Sequence, residues 1–370
     1  MSHNKKIALT GGGTAGHITP NLALIPELKN RGYDIIYIGS KNGMESTILP
    51  KAGIPFYGVT TDKLRRYFDV KNFLMPFNVI KGINEAEKVL KKQNVDIVFS
   101  KGGFVAVPIV IAANKLKIPI VSHEADISPG LANRLAAPRS KVICCNFEET
   151  AKIFGKKGIH TGSPIRDVVL KGDREKGIRL LNFKADKPIL FITGGSLGSQ
   201  YINNLIRKNI YELINRYNVV HQCGVGKMSS QCLTDKESLA FQSEMIKNSY
   251  KEFEIISDDL PDIFAASDFV ISRAGANIIF ELLALKKPSL LIPLSKKASR
   301  GDQILNAKSF EAKKYAITLL EEDQDKKPWL FIEKLDELEK KKDSMIDAMN
   351  RAKENNAIKK ICDVIDKYSA

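Results

Sequence analysis

The chain has 370 residues, too many for one ordinary hydrophobic core, so two domains are expected. It carries 57 lysines and arginines against 42 aspartates and glutamates, for a net charge of +15. Residues 1–163 hold most of this excess, with 23 basic against 12 acidic side chains. The charge predicts an anionic partner for the N-terminal half: nucleic acid, a phospholipid surface or a phosphorylated substrate. The five cysteines, an odd number without the spacing of a disulfide framework, argue for a reducing compartment.

The apolar segments indicate a cytoplasmic chain that does not cross a membrane. The longest apolar run, Phe104–Ala113, is too short to span a bilayer and contains Pro108. The N-terminus passes directly into the first predicted strand, so we expect no cleavable signal sequence.

Strand-like apolar runs alternate with amphipathic helical stretches, a pattern typical of parallel α/β sheets. The predicted strands are Ile7–Thr10, Asp34–Ile38, Ile97–Ser100, Ile118–Ser122, Val142–Cys145, Ile189–Thr193, Val219–His221, Phe253–Ile256, Phe269–Ser272, Ser289–Ile292 and Ile317–Leu319. We expect two Rossmann-like, doubly wound parallel-sheet domains, 1–163 and 164–345, facing each other across a cleft. A C-terminal helix in 346–370 is expected to pack back on the N-terminal domain.

A glycine-rich turn, residues 11–16, follows the first strand and precedes a helix expected to begin at Thr19 and Pro20. Such a turn points backbone N–H groups and the positive end of a helix at an anion. The spacing matches a dinucleotide-binding fingerprint, but strand two ends at residues 37–41 without the carboxylate that would bind a ribose. Nicotinamide and flavin cofactors are therefore disfavoured. His17, at the start of the helix, is a candidate catalytic or ligand-binding residue.

Two further strand–turn–helix units lie in the second half, at residues 188–199 and 268–281. A diphosphate over the helix of the later unit would leave a ribose near Glu281, whose carboxylate can bind both hydroxyls. Glu281 could equally be a surface residue near Lys286. Residues 299–307 follow a strand and either contact the ligand or cap a helix.

His123 and Glu124 end a strand and adjoin Asp126, so these polar groups either face a substrate or cap local structure. Metal signals are poor, because the histidines show no ligand pairing and the one D-x-D pattern, Asp323–Asp325, lies in an acidic stretch. We expect neither a metal nor a cofactor.

Residues 63–83 place aromatic and apolar side chains between cations, with one acid inside. This composition suits contact with an anionic membrane surface. The candidate contact residues are Arg65, Arg66, Phe73, Leu74 and Phe77. A core helix with a solvated basic edge is the alternative, and nucleic acid is disfavoured because no recognised binding module accompanies the charge.

Together these motifs resemble the bacterial lipid I N-acetylglucosaminyltransferases of peptidoglycan synthesis, the MurG-type enzymes of glycosyltransferase family 28. The resemblance runs from end to end. It rests on the opening GGGTAGHITPNLAL and on the motifs at 101–103, 123–133, 162–166, 194–196, 272–281 and 303–307. Ala15 stands where glycine is usual, and Asp126 where asparagine is usual.

The resemblance implies a two-domain glycosyltransferase fold of the B type (GT-B) and metal-independent, inverting transfer of GlcNAc from UDP-GlcNAc to the C4 hydroxyl of MurNAc in lipid I. His17 would be the general base, with Asp126 and Glu124 as rivals. The implied UDP-GlcNAc site comprises Thr14, Gly16, Arg166, Ser196, Ser257, Ala276, Glu281 and Gln303. The implied acceptor side comprises Gly12, Gly13, Gly102, Gly103 and Asp126.

The implied partners are UDP-GlcNAc, lipid I, the cytoplasmic face of the cell membrane and other cell-wall synthesis proteins. Three alternatives stay open. A diacylglycerol-type glycosyltransferase would share the donor site and the membrane segment. A UDP-GlcNAc epimerase would need no acceptor, and a non-enzymatic lipid- or nucleic-acid-binding module would release no UDP.

Overall fold

The computed structural model describes residues 5–61, 71–183, 186–195, 197–232, 243–352 and 356–369, with the backbone alone at 15, 71–76 and 232. The chain forms two compact units. The first comprises Met1–Arg166 and Glu354–Ala370, and the second comprises Asp167–Lys353. Each unit is built around one parallel sheet flanked by helices.

The sheet of the first unit has seven parallel strands in the order β3-β2-β1-β4-β5-β6-β7. Their bounds are β1 Lys6–Thr10, β2 Asp34–Ser40, β3 Phe56–Val59, β4 Ile97–Ser100, β5 Ile120–Glu124, β6 Val142–Cys145 and β7 Gly158–His160. The central strands β1, β4 and β5 are almost fully buried, as expected for a sheet covered on both faces.

The sheet of the second unit has six parallel strands in the order β10-β9-β8-β11-β12-β13. Their bounds are β8 Ile189–Thr193, β9 Asn218–Gln222, β10 Tyr250–Phe253, β11 Phe269–Ser272, β12 Ser289–Leu291 and β13 Ile317–Thr318. Both sheets reverse their direction of winding beside the first strand of the unit, where open α/β sheets bind ligands.

Helices connect the strands in both units. In the first unit they are Ala15–Asn30, Glu45–Lys51, Lys71–Lys92, Ala106–Lys115, Leu131–Ala136, Glu148–Ile153 and Ala357–Tyr368. In the second they are Asp167–Leu170, Arg174–Leu181, Gln200–Lys208, Ile210–Arg216, Ser229–Cys232, Glu244–Ser249, Leu260–Ala266, Ala276–Ala284, Asp302–Ala312, Glu321–Lys326 and Leu330–Asn350. None of the described helices is long and apolar enough to cross a membrane.

The last helix, Ala357–Tyr368, packs against the first unit. Its side chains Ile361, Cys362 and Ile365 are fully buried in the same apolar cluster as the residues of β1. Arg31 reinforces this contact, because its guanidinium donates to Asp363 at 2.9 Å and to Asp366 at 2.6 Å. The chain therefore returns to its N-terminal sheet after completing the second one.

Two local predictions were wrong. The first helix begins at Ala15, with Thr14 as its extended N-cap residue, so Pro20 lies inside the helix instead of starting it. A proline there removes one hydrogen bond, whereas the expected start at Thr19 would have left His17 outside the helix. The strand predicted at Phe253–Ile256 is β10 at Tyr250–Phe253, so Ser257 stands four residues beyond its end.

Candidate functional site

Polar loops follow the central strands of the first sheet at their carboxyl ends. The glycine turn 11–14 follows β1, residues 101–103 follow β4, and residues 125–130 follow β5. Because these strands are parallel neighbours, the three loops lie on one edge of the sheet. This edge carries the residues that the sequence assigned to the acceptor.

The first glycine turn brings His17 against the loop that follows β4. A Cβ on Gly103 would lie 3.0 Å from the Gly12 carbonyl oxygen and 3.1 Å from the His17 ring, and the positive φ of Gly103 also favours glycine, so the two loops approach closely here. The His17 backbone N–H donates to the Thr14 carbonyl at 3.1 Å, which closes the first turn of the helix. Behind the turn, the buried Tyr37 hydroxyl donates to the Gly11 carbonyl. His17 thus lies at the carboxyl edge of the first sheet.

A carboxylate that the sequence analysis did not single out lies against the first glycine turn. Glu45 is fully buried and accepts hydrogen bonds from the backbone N–H groups of Ser40, at 3.0 Å, and Gly13, at 3.3 Å. The Gly13 N–H is therefore already engaged by the chain's own anion. This amide is one of the N–H groups that the sequence analysis expected to point at an anion.

Lys101 is buried at the end of β4, and its ammonium lies 2.8 Å from Nδ1 of the buried His123. Burial lowers the pKa of Lys101 to about 8, against the opposing pull of the Glu124 and Asp126 carboxylates. Burial, together with the Lys101 charge, lowers the pKa of His123 well below its usual range. A neutral His123 consequently accepts the hydrogen bond of a charged lysine.

Glu124 organises the loop that follows β5. Its carboxylate accepts from the backbone N–H of Asp126 at 3.0 Å, from that of Gly130 at 2.9 Å and from the Asn133 amide at 2.8 Å. Asn133 also packs against Gly102, where a Cβ would lie 2.8 Å from its amide oxygen. Three donors satisfy Glu124, which makes it less available as a general base than His17 or Asp126.

In the second unit, the glycine turn after β8 is closed by backbone and side-chain hydrogen bonds. The Gly195 N–H donates to the Thr193 hydroxyl at 3.0 Å, and the Gly198 N–H donates to the Gly195 carbonyl at 2.9 Å. Ser199 caps the following helix by accepting from the Ile202 N–H at 3.3 Å. The predicted ligand Ser196 lies outside the described residues.

Arg273 joins this turn to the third one, which follows β11. Its guanidinium donates to the Ser199 hydroxyl at 2.6 Å and to the Ile292 carbonyl at 3.0 Å. It also forms a 2.6 Å ion pair with Glu321, and both side chains are nearly buried. Arg273, which follows β11, therefore connects the carboxyl ends of the neighbouring strands β8, β11 and β12.

The third turn leads into the helix Ala276–Ala284, whose N-cap residue Gly275 makes no side-chain cap. Gln303 lies beside it: its amide oxygen accepts from the Leu294 N–H at 3.1 Å, and its amide nitrogen is 4.0 Å from a Cβ built on Gly275. Glu281 lies on the same helix, about one and a half turns further on. The structure thus brings Ala276, Glu281 and Gln303 into one region.

Ser257 is exposed and follows β10 at the same edge of the second sheet. The neighbouring Ile256 N–H donates to the Gln222 amide oxygen at 3.0 Å. The Gln222 amide nitrogen in turn donates to the Thr193 hydroxyl at 3.2 Å and the Gly195 carbonyl at 3.3 Å. Gln222 therefore links the segment before Ser257 to the second glycine turn.

The remaining predicted site residues are only partly described. Arg166 is half-buried and is the last residue before the second unit. Arg65 and Arg66 lie outside the described residues, and at Phe73 and Leu74 only the backbone is described, in the helix Lys71–Lys92. Phe77, on the same helix, is 72% exposed. Within the described ranges, no three His, Cys, Asp or Glu residues form a metal-binding group.

The family models match both halves of the chain. The glycosyltransferase family 28 N-terminal domain matches residues 7–144, and the family's C-terminal domain matches residues 189–365.

Curated relatives match over nearly the full length. A Clostridium tetani protein named UDP-N-acetylglucosamine--N-acetylmuramyl-(pentapeptide) pyrophosphoryl-undecaprenol N-acetylglucosamine transferase is 52% identical, over 98% of both chains. A Clostridium botulinum (strain 657) protein of the same name is 51% identical, over 99% of both chains.

Solved structures share the fold. Acinetobacter baumannii MurG aligns with a TM-score of 0.74 at 24% identity, covering 98% of this chain and 99% of that one. A UDP-GlcNAc 2-epimerase from Neisseria meningitidis, bound to UDP-GlcNAc, aligns with a TM-score of 0.66 at 16% identity, covering 98% and 100%. The expected fold, two Rossmann-like parallel-sheet domains of the GT-B type, is confirmed.

The buried ammonium predicts a pH-dependent stability. Between pH 8 and 10.5 the native protein releases the Lys101 proton that the unfolded chain keeps, so native stability rises with pH across this window. Lys101→Met removes this dependence. Between pH 8 and 10.5, we expect the free energy of unfolding of wild type to rise by up to about 3 kcal/mol relative to that of Lys101→Met.

Urea unfolding of both proteins at several pH values measures this difference. Lys141→Met, at an exposed lysine of the same unit, controls for the loss of a surface charge. A difference between wild type and Lys101→Met that stays constant across the window would contradict the prediction.

Proposed function

Because this chain belongs to glycosyltransferase family 28, we propose that it transfers N-acetylglucosamine from UDP-GlcNAc to the C4 hydroxyl of MurNAc in lipid I, forming lipid II for peptidoglycan synthesis. The observation that carries this proposal is the full-length, 52% identity to a relative named for this transfer. The two loop-bearing sheet edges, one in each unit, support it.

The second unit supplies the donor half-site in this proposal. The helix Ala276–Ala284 directs its N-terminal end at the UDP diphosphate, and its N-cap residue, Gly275, has no side chain that could compete with the phosphate for the helix-start N–H groups. Glu281 binds the ribose hydroxyls, Gln303 binds the sugar, and backbone groups at Ser257 read the uracil. Arg166, Thr14, Gly16 and Ser196 complete the proposed set.

The reaction is a single displacement with inversion. The acceptor oxygen forms a bond to the anomeric carbon while the bond to the diphosphate breaks, and UDP leaves with the electron pair. Helix-start amides and the positive ends of helix dipoles stabilise the charge on UDP. A base takes the proton from the acceptor hydroxyl as the new bond forms.

We propose His17 as that base. It is half-buried at the carboxyl edge of the first sheet, beside the loop glycine Gly103 of the proposed acceptor side, which with Gly12, Gly13 and Gly102 follows the central strands. Asp126 is the closer rival, since Glu124 is already satisfied by three donors. The location of both carboxylates beside the glycine loops supports a role in orienting the acceptor.

We also propose that the protein works at the cytoplasmic face of the membrane as a peripheral protein. The helix Lys71–Lys92 exposes Phe77 and Ile80 next to Lys81, a pairing of apolar and basic groups that suits an anionic lipid surface. Such a surface would place the first unit where a lipid-linked acceptor is available.

The acceptor distinguishes the candidate functions. With radiolabelled UDP-GlcNAc, we expect UDP release and labelled lipid only when lipid I is present. Transfer to diacylglycerol instead would identify the other lipid-directed glycosyltransferase. Conversion of UDP-GlcNAc without an acceptor would identify an epimerase, and no UDP release with any acceptor would leave only a binding module.

Substitution His17→Ala tests the base. Loss of proton transfer is expected to lower kcat by about 100-fold or more, with the KM for UDP-GlcNAc changed by less than about threefold. Steady-state kinetics with lipid I measure both quantities. His160→Ala, at a histidine bonded to the Asn146 carbonyl away from the glycine loops, is the control. Near-normal turnover of His17→Ala would remove it as the base.

The membrane contact is tested by replacing Phe73, Leu74 and Phe77 with serine. We expect the triple variant to bind anionic vesicles at least about tenfold more weakly, because three apolar side chains no longer insert. Vesicle co-sedimentation measures the partitioning, and Ile153→Ser, at an exposed apolar residue of the same unit, is the control. Unchanged partitioning of the triple variant would sink the proposal.

A further inference from the structure

Glu45 is a fully buried carboxylate with no assigned task, and it lies against the first glycine turn. It begins the helix Glu45–Lys51, five residues after β2 ends. A carboxylate without exposed surface is stable only when donors satisfy it. Its two donors are backbone N–H groups, Ser40 at 3.0 Å and Gly13 at 3.3 Å.

Three glycines make room for this carboxylate. A Cβ would lie 2.3 Å from a Glu45 oxygen at Gly12, 2.4 Å at Gly43, and 2.8 Å from the Glu45 side chain at Gly39. The surrounding backbone therefore fits the carboxylate closely on three sides. The arrangement is the one that a glycine turn offers to a bound phosphate, except that the anion belongs to the chain itself.

We propose that Glu45 is a positioning residue for the transfer reaction: its carboxylate acts as a built-in anion that locks the first glycine turn and so sets the place of His17. The link to His17 is short. Gly13 donates to Glu45, Thr14 follows it, and the Thr14 carbonyl accepts from the His17 N–H at 3.1 Å. Because Glu45 already accepts from the Gly13 N–H, a ligand anion placed on the same amide would be repelled by the Glu45 carboxylate.

This inference rests on the proposed function, because it gives Glu45 its role through His17. Glu45→Ala removes the carboxylate and its two hydrogen bonds to the backbone. Because the first glycine turn and His17 are then misplaced, we expect kcat to fall about 100-fold, with the KM for UDP-GlcNAc changed by less than about threefold. Formate, a free carboxylate that can occupy the vacated space, is expected to raise the kcat of this variant at least about tenfold.

Wild type and Asp96→Ala are the references. Asp96 accepts from the Lys6 N–H at 2.7 Å at the opposite, amino end of the sheet, so its removal also deletes a carboxylate–backbone bond but leaves the turn intact. We expect it to have no effect on kcat and no response to formate. A folded Glu45→Ala protein with wild-type kcat, or with reduced kcat that formate does not raise, would overturn the proposal.

Two further measurements keep the test decisive. If Glu45→Ala does not fold, the isosteric Glu45→Gln replaces it. In this variant the side-chain NH2 group faces one of the two backbone N–H groups, of Ser40 or Gly13, and cannot accept from it. We therefore expect kcat to fall at least about tenfold, and a wild-type kcat would refute the role. If wild type transfers no GlcNAc, the proposed function fails separately. The imidazole NMR signals of His17 then report the turn: they must shift in Glu45→Ala and return with formate, and unchanged signals would refute the lock.

Discussion

The loops at the carboxyl edges of both sheets depend on buried polar side chains that form hydrogen bonds with the loop backbone. Loops at the carboxyl ends of parallel strands have no ladder partner, and glycine turns are costly to order. In the first unit the carboxylates of Glu45 and Glu124 supply the missing acceptors, each satisfied by at least two donors. In the second unit Arg273 and Gln222 supply donors instead, Arg273 to the Ile292 carbonyl and Gln222 to the Gly195 carbonyl.

The two edges differ in charge. The first contains two buried carboxylates and a buried ammonium, Lys101, seated on neutral His123. The second contains the nearly buried ion pair Arg273–Glu321 and the start of the helix Ala276–Ala284, whose N-cap glycine has no side-chain cap. An uncapped helix start suits a nucleotide diphosphate, whereas an edge with fixed charges and His17 suits proton transfer from a neutral hydroxyl. This asymmetry supports separate donor and acceptor half-sites.

The sequence predicted the fold well because apolar runs and glycine turns are local signals. It identified the parallel α/β architecture and all six strands of the second sheet, with β10 displaced by three residues. It missed β3 and β7, which are short edge strands interrupted or begun by glycine, Phe56–Val59 and Gly158–His160. The start of the first helix was predicted too late because proline is favoured at the first helical position, whereas this helix contains Pro20 in its second turn.

The supporting residues could not be predicted in the same way. Glu45 lies 32 positions from the Gly13 amide to which it bonds, and Gln222 lies 27 positions from Gly195. Only the folded sheet brings such pairs together. One local signal was present: Gly39 and Gly43 flank the approach to Glu45, and glycines near a lone acid favour close contact with its carboxylate. Gln222, at the end of β9, gave no comparable sign.

The configuration of the product tests the central claim most directly. Lipid I and UDP-GlcNAc, incubated with the protein and a metal chelator, are predicted to give a lipid-linked disaccharide in which GlcNAc is joined through a β linkage to the C4 oxygen of MurNAc. NMR of the released disaccharide reads both the linkage position and the anomeric configuration. An α linkage, another position, or no disaccharide from a folded protein would contradict the account.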